Sequence, residues 1–228
     1  MSNITAVVPT RKGSERVKNK NTKPFLDTTL LENKLKTLIK LKENNIINDI
    51  ILNSDCDESY KISKKLNIKF VWRESTYADS KCDIRDYWLN VGTNISTNNF
   101  MLCQVTSPFI SYKTYEKCIK IFNEGNPILT VTKLKDYIWE GNKPLNYSYP
   151  EHPRSQDLPD NFFKLNFGVC IMSKKDLKQY KNLWIPNTKF VYLNEIESID
   201  IDTELDFKLA ASITSSGIES FVCESTPT

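Results

Sequence analysis

Strand-like and helix-like segments alternate along this chain of 228 residues. That order predicts an α/β domain, a mostly parallel twisted sheet with helices on both faces. Three observations carry the expectation. Short apolar runs of strand length recur, and several end in turn-forming polar residues. Stretches with a helical apolar period lie between them. The length suits one domain over 1–228 with a sizeable core.

Residues 4–8 read as the first strand. Residues 29–44 read as an amphipathic helix, with Leu30, Leu31, Leu35, Leu38, Ile39 and Leu41 forming its apolar stripe. Asp49 to Leu52 form a second strand that ends at Asn53-Ser54-Asp55. Glu58 to Leu66 form a helix with Asp57 as its N-cap. Ile68 to Trp72 form a third strand, and Asp83 to Val91 a helix. Phe100 to Val105 form a strand that stops at Thr106-Ser107-Pro108. Residues 112–123 carry a helical stripe, and Ile128 to Val131 form a strand. The pattern then breaks. Residues 135–165 hold four prolines, several aromatics and no long period, which marks a functional segment or one that reaches another subunit. Strand signals return at Phe163–Met172 and Phe190–Leu193, and a last helix carries Phe207, Leu209, Ala210 and Ala211.

Composition excludes several classes. A net charge of +3 is too small for bulk nucleic-acid binding. No apolar run approaches the roughly 18 residues of a membrane span. The N-terminus lacks signal-peptide architecture. The six cysteines are scattered without a CxxC pair, which fits reduced, mostly buried thiols in a cytoplasmic protein. His152 is the single histidine, so neither a multi-histidine metal site nor a Ser-His-Asp triad is expected. The four tryptophans read as core or interface residues, and the lysine-rich stretches at 34–42 and 174–181 as solvated helix faces.

The first strand runs into a basic loop, Arg11-Lys12-Gly13-Ser14-Glu15-Arg16-Val17-Lys18-Asn19-Lys20-Asn21. Gly13 permits close backbone approach to an anion, and the cations offset its charge, so a polyphosphate suits this loop. A solvated basic loop has the same pattern. In an open α/β sheet, ligands bind outside the carboxyl ends of the strands. The basic loop, Arg73 and the Gln104–Pro108 turn each follow a strand, so all three are expected at one edge of the sheet. Asp200 and Asp202 stand at i and i+2, a spacing that points both carboxylates to one face of an extended segment. Beside a phosphate loop such a pair suits Mg²⁺, which prefers hard oxygen ligands completed by water and phosphate. Helix capping is the alternative, and it is the reading for Asp206 with Thr203.

These pieces, in this order, resemble the acylneuraminate cytidylyltransferase family, the CMP-sialic acid synthetases and their relatives. The N-terminal motif of that family is matched by Pro9, Arg11, Gly13, Ser14, Lys20 and Asn21. A Q-x-T-S-P motif is matched by Gln104, Thr106, Ser107 and Pro108. An R-x-Q-D-L-P motif is matched by Arg154, Gln156, Asp157, Leu158 and Pro159, and a D-I-D-T motif by Asp200 to Thr203. The resemblance implies a GT-A-like nucleotidyltransferase fold, a homodimer, and a dimerisation arm over 135–165 that lends residues to the neighbour's sugar pocket. It implies transfer of CMP from CTP to an acidic 2-keto sugar under Mg²⁺, with release of pyrophosphate.

On that reading Lys20 and Arg11 neutralise phosphate charge, and Gly13, Ser14 and Asn21 line the nucleotide pocket with Arg73 nearby. Asp200 and Asp202 hold the metal, Asp202 being catalytic. Gln104, Arg154, Gln156 and Asn166 face the acceptor; an Arg fork suits a carboxylate. The chain departs from the family at Lys12, Glu15 and Glu74, and at Phe167, which follows Asn166 where relatives commonly have Asn-Gly. The last departure leaves the acceptor open between a sialic, legionaminic or pseudaminic acid and a Kdo-like sugar or phosphonate. A catalytically silent nucleotide-sugar-binding protein is the third reading, and Lys20, Asp200 and Asp202 argue against it.

Overall fold

A computed structural model of the chain describes residues 3–14, 16–25 and 27–215. Glu15 and Cys223 therefore lie outside the described residues. The elements follow in chain order. β1 (Ile4–Pro9) leads through a short hairpin, β2 (Pro24–Phe25) and β3 (Thr28–Thr29), into α1 (Leu30–Glu43). Next come β4 (Asp49–Ser54), α2 (Asp57–Lys65), β5 (Lys69–Trp72), α3 (Ser75–Ala78), α4 (Ile84–Thr93) and β6 (Asn99–Cys103). α5 (Tyr112–Asn123) and β7 (Ile128–Lys133) are followed by a small hairpin, β8 (Trp139–Glu140) and β9 (Lys143–Pro144), and one 3₁₀ turn (Ser155–Asp157). β10 (Phe163–Ser173), α6 (Lys174–Tyr180), β11 (Lys189–Leu193) and α7 (Glu204–Ser215) complete the order.

The central sheet has seven strands in the order β11-β7-β10-β6-β1-β4-β5. All neighbours are parallel except β10, which runs antiparallel to both β6 and β7. The mostly parallel, two-sided α/β architecture expected from the sequence is therefore present. Strand side chains alternate between two apolar layers, as a period of two requires. Ile4, Ala6 and Val8 of β1 pack with Leu31, Leu35 and Leu38 of α1 and with Tyr115 of α5. Val7, between them, packs on the other face with Val91 of α4 and Leu177 of α6.

Local chemistry sets the helix starts. The Thr29 side chain accepts from the Glu32 backbone N–H, and the Asp83, Ser111 and Ser173 side chains cap α4, α5 and α6. The start of α2 differs from expectation. Its N-cap is Cys56, and Asp57 is the first helical residue. Ser54 Oγ accepts from the Cys56 N–H and shapes the preceding turn. Asp57 then contributes through the helix dipole rather than as a cap.

Residues 134–162 are the connection of a wide hairpin, because β7 and β10 pair with each other directly. The Leu134 N–H donates to the Phe162 carbonyl at its root, and Asp160 sits between Lys133 and Lys135. Tyr137 and His152 stack with ring centroids 4.9 Å apart, and Tyr147 meets both edge-on. Asn146 ties Ile138 to Asp136. The arm thus has order of its own that the sequence did not announce.

One further expectation changes. Lys34 is not solvated; its residue is 1% exposed. It lies four residues after Leu30 and four before Leu38, so the helical period carries it into the apolar stripe. Of the two places expected for the tryptophans, core or interface, Trp72, Trp139 and Trp184 are half exposed and so not in the core. The described cysteines are all free, and Cys56, Cys103, Cys118 and Cys170 are buried. Among the described residues no helix is long and apolar enough to cross a membrane.

Leu35 is fully buried between the sheet and its helical neighbours. Leu35→Ala is expected to cost about 2–5 kcal/mol through lost burial and the cavity left behind. Urea unfolding checks this as a lower midpoint at unchanged slope.

Candidate active site

The ends of β1, β4, β5 and β6 open on one edge of the sheet, where the loops after β1, β5 and β6 enclose a cleft of about 420 Å³. The basic loop after β1 forms one wall. It is pinned where β1 ends: the Thr10 N–H donates to the Asn53 carbonyl, and the Lys12 N–H donates to Asp55 Oδ1 at 2.7 Å. Val17 anchors the middle of the loop in the core with no exposed surface. Gly13 has φ +77° and open space where a Cβ would stand, so backbone conformation rather than room calls for glycine there.

Arg11, Ser14, Arg16, Lys20 and Asn21 line this wall. Lys20 Nζ donates to the Ile201 carbonyl at 2.6 Å and lies 3.4 Å from Asp202 Oδ1. Arg16 meets the same carboxylate oxygen at 3.1 Å. Two cations of the N-terminal loop thus converge on one acid near the C-terminus.

The opposite wall is built by the loops after β5 and β6. Arg73 is buried, donating from Nε to Asn53 Oδ1 at 2.6 Å and from Nη2 to the Asn53 carbonyl at 2.7 Å. Its guanidinium lies over the Tyr87 ring, 5.1 Å from the centroid. Burial lowers its pKa, against a smaller opposing influence from Tyr87. Tyr77, Ala78, Asp79 and Ser80 complete this side. Sequence reasoning missed these four, because a single-turn helix and the bend after it leave no periodic signal. Arg16 stood unassigned among the loop's cations; its contact with Asp202 joins positions 186 apart in the chain.

Gln104 and Thr106 form the floor at the end of β6. The Gln104 N–H donates to the Gly168 carbonyl, and the Ile201 N–H donates to the Thr106 carbonyl at 2.8 Å. The second bond holds the Asp200–Asp202 segment against the floor. Asp200 keeps access to solvent, yet crowding by protein atoms is the largest influence on its carboxyl and raises the pKa. A hydrogen bond with Thr106 opposes this, and the Asp202 charge adds to it. Asp206 takes the capping role expected of it. It accepts from the Thr203 and Asp202 N–H groups, while Thr203 Oγ1 accepts from the Asp206 N–H.

Among the described residues no group of three or more His, Cys, Asp or Glu side chains is arranged to hold a metal ion. Asp200 and Asp202 are close enough for their charges to interact, and they adjoin an electropositive loop. Two carboxylates completed by water and phosphate oxygens form a donor set that Mg²⁺ accepts. The residues present therefore fit such an ion.

Of the residues singled out in the sequence, Gly13, Asp200, Asp202, Arg154, Gln156 and Asn166 are absent from the cleft lining; the two aspartates adjoin it through Lys20 and Thr106. Arg154 and Gln156 are exposed on the arm, where Arg154 Nε donates to Asp157 Oδ2 at 2.8 Å. Asn166 lies in an irregularity of β10, where the register shifts between Leu165 and Cys170. Its Oδ1 accepts from Thr130 Oγ1 and the Gly168 N–H, and its Nδ2 donates to Thr132 Oγ1. These bonds stabilise a bulge in which Phe167 adopts φ +54°, a left-handed conformation that strains a bulky residue. The Phe167 ring packs against Trp88.

A cytidylyltransferase family model matches residues 5–148. The chain belongs to the cytidylyltransferase family and is a nucleotidyltransferase enzyme. It is 24% identical to the CMP-N,N'-diacetyllegionaminic acid synthase of Legionella pneumophila, over 96% of this chain and 99% of that one. It is also 24% identical to the N-acylneuraminate cytidylyltransferase of Escherichia coli, over 92% of this chain and 52% of that longer protein. Among solved structures, a CMP:2-keto-3-deoxy-manno-octonic acid synthetase complexed with CTP superposes with a TM-score of 0.69 at 11% identity, covering 95% of this chain and all of that one. A 4-diphosphocytidyl-2C-methyl-D-erythritol synthase from Anaerococcus prevotii gives 0.67 at 18% identity, covering 93% and 96%. Both share the fold.

A Cβ at Gly168 would stand 2.6 Å from Ile110 Cδ1 and 3.1 Å from Ser107 Oγ. Ile110 is itself buried and has little room to yield. Gly168→Ala is expected to destabilise the protein by about 1–3 kcal/mol. A thermal melt that matches wild type would refute this close approach of β10 to the cleft floor.

Proposed function

We propose that this nucleotidyltransferase transfers CMP from CTP to an acidic 2-keto sugar of the sialic, legionaminic or pseudaminic acid type. The observation that carries the reading is the meeting of the basic loop and the acidic segment at Lys20, in the cleft that Gln104 floors. That arrangement suits a triphosphate lying along the loop with its α-phosphorus near the carboxylates. The two relatives named for CMP-legionaminic acid synthesis and N-acylneuraminate cytidylyl transfer support the acceptor class.

The chemistry asks for alignment and charge neutralisation more than for covalent participation. The anomeric hydroxyl attacks the α-phosphorus of CTP. A new P–O bond forms as the bond to the β-phosphate oxygen breaks; pyrophosphate leaves with the electron pair, and the hydroxyl proton is released. Lys20 and Arg11 offset the phosphate charge. Gly13 lets the loop backbone approach the phosphates, and Ser14 and Asn21 line the nucleotide pocket. Arg73, clamped by Asn53, presents a rigid surface to the base. Asp200 and Asp202 would hold Mg²⁺, which supplies Lewis-acid stabilisation of the phosphate oxygens. Gln104 faces the acceptor.

The arm over 135–165 completes the acceptor pocket of a second subunit in a homodimer, with Arg154 and Gln156 as its contributions and Asn166 as support. Two facts favour this. Arg154 and Gln156 are exposed and absent from the lining of their own chain's cleft. The arm also displays Trp139 and Tyr149 at 50% and 84% exposure. A Kdo-like acceptor is the second reading. It is favoured by Phe167, whose bulk fills a left-handed position beside the cleft floor.

Pyrophosphate release with CTP, Mg²⁺ and a panel of N-acetylneuraminic, legionaminic, pseudaminic and Kdo acids tests the reading. Turnover is expected with CTP and a nine-carbon acid, and not with ATP, GTP or UTP. Silence across the panel would overturn it. Asp202→Asn is expected to lower kcat by about 100-fold or more, through loss of metal-borne charge stabilisation. Its ion pairs are partly exposed, and such pairs contribute about 1 kcal/mol or less, so the circular dichroism spectrum should not change.

A further inference from the structure

Lys34 is the one lysine among the largest fully buried side chains, and nothing in the proposed chemistry uses it. Its Nζ donates to the Ser107 carbonyl at 2.7 Å and to Tyr115 Oη at 2.8 Å. It also lies 5.2 Å from the centroid of the Tyr115 ring. Among the described residues no carboxylate forms a salt bridge with it. The groups facing it are Cys103 at the end of β6, Tyr115 on α5, and Glu197 in the segment before Asp200. Glu197 is buried in turn and accepts from the Ser111 N–H, Thr114 Oγ1 and Asn194 Nδ2.

Burying an ammonium is expensive unless it is well bonded. Here one of its two bonds goes to the turn that floors the cleft. Ser107 adjoins Thr106, whose carbonyl accepts from the Ile201 N–H between the two candidate metal ligands. Gln104, at the start of the turn, bonds to Gly168 of β10. A chain of bonds thus runs from α1 through the turn to the acidic segment. Asn33, one residue earlier on α1, repeats the anchor by donating from Nδ2 to the Pro108 carbonyl.

We propose that Lys34 is a positioning residue. Its buried ammonium fixes the 104–108 turn, and through it the placing of Gln104 and of the Asp200–Asp202 segment. The acceptor and metal side of the cleft depends on it, while the basic loop that meets the nucleotide phosphates does not. The functional half of this inference rests on the proposed cytidylyl transfer; the structural half does not. Burial pushes the Lys34 pKa down from 10.5 to about 8, against the smaller pull of Cys103 and Glu197. Between those two values the unfolded chain binds the proton and the folded chain does not. The cost of burying the Lys34 charge therefore falls away as pH rises through that window, and the neutral amine that remains can still donate to the Ser107 carbonyl.

Lys34→Met keeps the length and the apolar stem and removes the charge. Hydrogen exchange should quicken by about tenfold at the Gln104 and Ile201 amides, whose partners lie in or beside the turn, and stay unchanged in β1 and β4. Tyr115→Phe removes one partner of the ammonium. It should show the same pattern at about threefold, and it carries the test if Lys34→Met does not fold. In turnover, Lys34→Met should lower kcat by about tenfold and leave the CTP dissociation constant within about twofold. The urea midpoint of wild type should rise relative to that of Lys34→Met from pH 8 to pH 10.5. Unchanged exchange at Gln104 and Ile201, uniform quickening across the sheet, or parallel loss of CTP affinity and kcat would each overturn the proposal. Wild type inactive on the whole acceptor panel would instead strike the proposed function, and the exchange measurement would still decide the role of Lys34.

Discussion

Lys20 binds the two ends of the chain into one site. Its ammonium touches the Ile201 carbonyl and Asp202, more than 180 positions away in sequence. That contact is possible because β1 and β6 run parallel and adjacent, so the loops that follow them emerge on the same edge. The segment carrying Ile201 is tied to the second of those loops by its bond to Thr106. Without that shared edge, the basic loop and the acidic pair would be unrelated features of one surface.

Burial grades the electrostatics of the cleft. Arg73 is buried and fully engaged with Asn53, so it is a fixed part of the wall. Arg16 and Asp202 are exposed enough that their pairing adds little to stability. Asp200 is held differently. Its carboxyl is pushed up by crowding while Thr106 steadies its position. Stability therefore resides in the apolar layers and the buried clamps, and the charges at the mouth remain available for ligands.

The antiparallel strand β10 links the sheet to the arm. Its pairing with β7 turns residues 134–162 into one long hairpin connection, ordered by the Tyr137–His152 stack and by Asn146. Its pairing with β6 brings Gly168 under Gln104. The bulge between these two stretches forces Phe167 into a left-handed conformation, held by the three bonds of Asn166. A change in that bulge would be felt at the cleft floor and at the root of the arm together.

Hydrophobic period and motif order were legible in the sequence because they are local. The stripe from Leu30 to Leu41, the strand ends at Pro9 and Ser54, and the Thr203–Asp206 cap all follow from the spacing of neighbouring residues, whereas β6 ends at Cys103, two residues before the expected Val105. The convergence of Arg11, Arg73 and Gln104 was legible too, since parallel strands put their following loops on one edge. What depends on long-range partners was not. Strand direction at β10 depends on which neighbour it pairs with, and an apolar run carries no sign of that. The burial of Lys34 depends on the Ser107 carbonyl and Tyr115, contributed by a loop and a helix more than seventy residues away. The amide of Asn166 turned toward a bulge because a register shift left Gly168 and Thr130 in need of a partner. Sequence by itself settled the layers and the edge on which the cleft opens. Tertiary structure decided which side chains face it, because only packing brings together groups that are distant in the chain.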